Sequence, residues 1–95
     1  MQKVVIVNGT TDLLDMVQPV LTAGHYDVVF VESNAHAYTH IKREKPSLII
    51  LCLDMHEHAG FQVLSMLLSE DTFTYPRTIL MTHGCLIAIF LKTSR

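Results

Sequence analysis

The 95-residue sequence has no tryptophan, two cysteines, three prolines and four glycines. The cysteines, Cys52 and Cys85, stand apart in apolar surroundings with no CxxC spacing, which argues against a disulfide scaffold and a thioredoxin-type motif. They read as buried, reduced thiols. Charge is also scarce: 17% of residues carry it, with 7 Lys+Arg against 9 Asp+Glu and a net charge of −2. No broad basic field is available for a phosphate backbone, so nucleic acid is not an expected partner of this domain. No apolar run reaches the roughly 18 residues of a membrane span, and the opening Met1 to Gly9 lacks the design of a secretory signal. A soluble, cytoplasmic protein without a membrane partner is expected. There is no GxGxxG after the first apolar run and no Walker-type lysine in Asn8-Gly9-Thr10-Thr11, so nucleotide phosphates lack their usual donors. With no repeat, low-complexity tract or linker, residues 1–95 read as a single domain, and no cofactor is expected.

What the sequence does have is 49% hydrophobic residues in a regular alternation of runs and stripes. Lys3 to Val7 is β-branched and ends at Asn8-Gly9, the pattern of a strand covered on both faces. Thr10 or Thr11 can cap a helix with Leu13, Leu14, Val17, Val20 and Leu21 at helical spacing, although Pro19 lies inside it. Tyr26 to Val31 reads as a second strand. Ser33 or Asn34 can cap a second helix through Ala37, Tyr38 and Ile41 to Lys42-Arg43, a basic pair at the end favoured by the helix dipole. Pro46 then precedes Ser47 to Leu53, the most apolar strand and the expected centre of a parallel sheet. A polar loop from Asp54 to Ala59 leads through Gly60 into a third helix carrying Phe61, Val63, Leu64, Met66, Leu67 and Leu68. Thr78 to Thr82 reads as a fourth strand. Cys85 to Leu91, apolar throughout, reads as a fifth strand with helix as the alternative. Strands and helices alternating with short links indicate an α/β domain.

The segment Lys45 to Leu64 resembles the third strand, phosphorylation loop and third-helix start of the receiver domain of bacterial two-component response regulators. The similarity runs from residue 3 to about 84, and Gly60, eight positions after the acceptor position, sets its register. The resemblance implies a flavodoxin-like three-layer parallel sheet of order 2-1-3-4-5, shortened here by loss of the usual fourth and fifth helices. It also implies a degenerate site. Cys52 takes the phosphoacceptor position, Asn8 and Gly9 take the places of the acidic pair that holds magnesium, and Thr82 matches the switch hydroxyl. Lys92 matches the family's lysine after the fifth strand. Phosphoryl transfer to a receiver needs a carboxylate and a compensating cation together, so the chain is expected not to be phosphorylated and to have no catalytic turnover.

Three chemistries stand beside that reading. Asp54, two residues beyond Cys52, is an alternative phosphoacceptor. Cys52, His56, His58 and His83, with Asp54, form an alternative soft-metal set at adjacent strand ends, although their spacing matches no standard zinc motif. Cys52 as a redox thiol would need a neighbouring positive charge, for which Lys92 is the candidate. Loss of two helices would leave apolar sheet surface uncovered, which points to a homodimer formed through the C-terminal strand or by a domain swap, and to a signalling-protein partner.

Overall fold

The computed structural model describes residues 2–8, 11–32, 35–54, 58–74, 77–80 and 85–93. The elements follow the order β1 (Lys3–Val7), α1 (Thr11–Ala23), β2 (Asp27–Val31), α2 (Ala37–Glu44), β3 (Leu48–Asp54), α3 (His58–Leu68), β4 (Arg77–Leu80) and β5 (Cys85–Leu91). They build a small α/β domain with three helices and one mixed sheet, a shortened arrangement of the flavodoxin-like kind.

Strand periodicity divides the core into two layers, because alternate side chains of a strand point to opposite faces. On one face Val5, Val7, Ile49, Leu51, Leu53, Ala88 and Phe90 pack with Ala37 and Ile41 of α2 and Val63 and Leu67 of α3. On the other, Val4, Ile6, Ile50, Cys52 and Ile87 pack with Leu21, Leu14 and Val17 of α1. The uninterrupted apolar runs of β1 and β3 follow from this double covering. α1 continues through Pro19, whose missing N–H would have met the carbonyl of Asp15; both residues are exposed, so water can satisfy that group.

Strands β2, β1 and β3 are parallel, with Val5 opposite Val29 on one side and Ile49 on the other. The expected order at the far side of the sheet is corrected. The strands run β2-β1-β3-β5-β4, and β5 lies antiparallel to both β3 and β4. The cause is chain length. Only residues 81–84 separate β4 from β5, while a parallel connection needs a crossover of a dozen or more residues. Without a fourth helix the two strands form a hairpin, and β5 takes the place beside β3 that the family pattern gives to β4.

The boundaries differ locally. α3 starts at His58, so His58 and Ala59 are helical instead of belonging to the expected loop, and Gly60 is a buried position inside the helix. Asp54 is the last residue of β3. α2 begins at Ala37 with His36 at its N-cap and no side-chain cap bond; Ser33 and Asn34 lie outside the described residues. Gly24 ends α1 closely under the ring of Tyr26, so that a Cβ there would run into the aromatic carbons.

Candidate functional site

The parallel strands define two ends of the sheet. Their C-terminal ends, where the sequence places its candidate site, bring together Asn8 after β1 and Cys52 and Asp54 on β3. Asn8 adopts a left-handed conformation at φ 55° and donates its backbone N–H to the Val31 carbonyl at 2.9 Å. Left-handed backbone is tolerated best by glycine and asparagine, which fits its position at a sharp turn out of the strand.

Cys52 is 7% exposed and packs among Val4, Ile6, Leu21, Ile50 and Ile87. That burial leaves the sulfur little access to solvent or to an incoming reactant. Asp54 stands opposite Cys85 in the β3–β5 register. His58 is exposed at the start of α3. Gly9, His56, Thr82 and His83 lie outside the described residues. Among the described residues no group of three or more His, Cys, Asp or Glu side chains is arranged to hold a metal ion.

Lys92 is placed elsewhere. Because β5 is antiparallel, Leu91 pairs with Leu48 at the start of β3, and the Lys92 N–H donates to the Ser47 carbonyl. Cys52 pairs with Ile87, five residues back along the strand, or about 17 Å at the usual strand rise. The lysine therefore cannot serve as the charge beside Cys52 that a receiver-like or redox reading requires.

The N-terminal ends of the parallel strands carry a denser polar arrangement. Every Lys and Arg falls at position 3, within 42–45, or at 77, 92 and 95, leaving residues 4–41 and 46–76 without one. The topology converts these scattered positions into one basic end: Lys3 opens β1, Lys42 and Lys45 close α2, and Lys92 follows β5. Lys3 Nζ meets Glu44 at 2.8 Å, and the hydrogen bond raises the lysine's pKa and lowers that of the carboxyl. His40 approaches the other oxygen of Glu44 at 3.6 Å.

Lys42 Nζ meets Glu70 at 3.1 Å and the Thr72 hydroxyl at 3.3 Å, and lies 5.9 Å from the centre of the Phe73 ring. The Tyr38 hydroxyl donates to the second oxygen of Glu70. That bond, reinforced by burial and the carboxylate charge, pushes the phenol pKa up to about 12. Phe73 packs edge-on against Phe90 at 6.5 Å, and its backbone bridges to Lys92. Two cavities flank Phe73: one of about 310 Å³ beside Leu68, Glu70 and Thr93, and one of about 120 Å³ lined by Lys42, Lys45, Pro46, Thr72, Phe73 and Lys92.

In the sequence Lys42 is accounted for by the helix dipole, and nothing singles out Thr72 or Phe73. The available signal is the clustering of basic residues at transitions that the βα alternation sends to one end of the sheet. No family model, curated protein or solved structure matches the chain. No helix among the described residues is long and apolar enough to cross a membrane.

Proposed function

We propose that the chain is an atypical receiver-like module that acts in two-component signalling through protein contacts, without phosphoryl transfer or turnover. The burial of Cys52 in the layer beneath α1 carries this reading. The residue at the acceptor position is a thiol held among aliphatic side chains, so it offers neither an accessible nucleophile nor a ligand for a hard cation. Contact surface is available on α3, where Phe61, Leu64 and Leu68 share one side of the helix at helical spacing; Phe61 and Leu68 are exposed and Leu64 is partly buried.

The proposed partner is a second copy of the chain. Pairing through the C-terminal strand is ruled out for the folded protomer, because β5 is hydrogen-bonded to β3 and β4 on its two sides. Exchange of the β4–β5 hairpin between two copies remains compatible with the same contacts.

The test combines acetyl phosphate labelling, with and without Mg²⁺, and sedimentation across a dilution series. The expected result is no acid-stable or acid-labile phosphoryl adduct and a metal-independent dimer. Labelling that Asp54→Asn abolishes would replace this reading with Asp54 as acceptor. A monomer at every concentration would remove self-association from it.

A further inference from the structure

The 120 Å³ cavity at the basic end of the sheet has a chemical character that the interaction reading does not use. Its lining is formed by the buried Pro46 and Phe73 together with Lys42, Lys45, Thr72 and Lys92. Three separate structural devices bring the lysines together. Lys42 is oriented by Glu70 and Thr72. Lys45 is the C-cap of α2, held in the left-handed region at φ 50° with its N–H on the Lys42 carbonyl. Lys92 is fixed by its backbone bond to Ser47 and by the bridge to Phe73.

Two of the nearby acids are engaged, and Asp71, beside Thr72, lines the neighbouring cavity instead. Glu70 is shared by Lys42 and Tyr38, and Glu44 by Lys3 and His40. Among the described residues no carboxylate pairs with Lys45 or Lys92, and both lysines are exposed. With Glu70 set against Lys42, the lining residues Lys45 and Lys92 carry two positive charges that have no ion-pair partner among the described residues, at a hollow too small for a drug-sized ligand.

We propose that this cavity binds a phosphate dianion, either free inorganic phosphate or the phosphoryl end of a small monoester. Two net positive charges complement a dianion, lysine ammonium groups act as point-charge donors to phosphate oxygens, and the Thr72 hydroxyl supplies a further donor. The site lies at the opposite end of the sheet from Cys52, so it stands or falls independently of the receiver-like reading. The C-terminal end of α2 and Glu70 offset part of the field, so the binding is expected to be weak.

The test is titration of the ¹⁵N-labelled full chain with potassium phosphate at constant ionic strength, with chloride as the exchanged anion. The amide signals of Thr72, Phe73 and Lys92 should shift and saturate. Lys45→Gln and Lys92→Gln should each weaken binding several-fold, and the double variant about tenfold or more, whereas Glu32→Gln, exposed after β2 at the opposite end of the sheet, should bind as the unaltered chain does. Far-UV circular dichroism checks that the variants fold. Glycerol phosphate as a second titrant separates the two sources: equal affinity assigns the site to free phosphate, and tighter binding assigns it to a monoester. Shifts that never saturate, acetate binding as tightly as phosphate, or a double variant that binds unchanged would overturn the proposal.

Discussion

The sheet has two halves built on different terms. In β2-β1-β3 the strands are parallel and joined through helices, with both faces of β1 fully buried. In β5-β4 the strands form an antiparallel hairpin over a short link, and each half leaves a large apolar side chain exposed, Phe30 on β2 at 58% and Leu91 on β5 at 51%, whereas Val4 to Val7 are 0%. Yet β5 inserts Ile87, Ala88 and Phe90 into the two core layers, so the hairpin helps to complete the core. The comparison teaches that a shortened α/β chain can close its sheet by reversing a strand where it has no helix to carry a crossover.

Phe90→Ala tests the integration of the hairpin most severely. Phe90 is fully buried and stacks edge-on with Phe73, so its removal should cost about 3–5 kcal/mol and move a single urea transition sharply. A barely altered midpoint, or a transition split in two, would mean that the hairpin is an appendage. Gly24→Ala probes the parallel half. The added methyl meets the Tyr26 ring, which packs against the layer under α1, and should cost about 1–3 kcal/mol in the same assay.

Tyr38→Phe addresses the link between α2 and the segment after α3 that leads into the hairpin. Loss of the hydroxyl that donates to Glu70 should cost about 1 kcal/mol near neutral pH. Because the phenol pKa rises from 10.0 to about 12 on folding, its contribution is present below pH 10 and is lost as pH rises through 10 to 12. That alkaline slope in stability should be absent from the variant. The smallest effect belongs to Lys3 and Glu44. The Glu44 carboxyl titrates below its ordinary 4.5 in the folded chain, so its contribution holds above that pH and fades as the solution becomes more acidic. Lys3→Gln should flatten this acid-side loss in a series of thermal melts.

The two halves also differ in how far the sequence discloses them. The apolar run at Val4 to Val7 and the stripe through Val63 and Leu67 are local signals, and the parallel half follows from them. The strand character of Cys85 to Leu91 is legible as well, but its direction is not. The family pattern supplied a parallel strand, and the four intervening residues forbid one. At the candidate site, the apolar neighbours of Cys52 foretold its burial. The cavity around Phe73 is hidden for another reason: Lys42, Thr72 and Lys92 are distant in sequence, and Lys92 joins the other two only because β5 reverses. The same reversal that overturned the expected strand order moved Lys92 from the end of the sheet near Cys52 to the opposite one.

The position of β5 between β3 and β4 also affects how the protein is made. β4 leaves the ribosome before the only strand it pairs with, and β3 shows an unfilled edge until residues 85–91 have emerged. Throughout that interval a nascent chain with β3 already formed would display an apolar strand edge open to pairing with another chain, an exposure that ends when β5 slides into the gap.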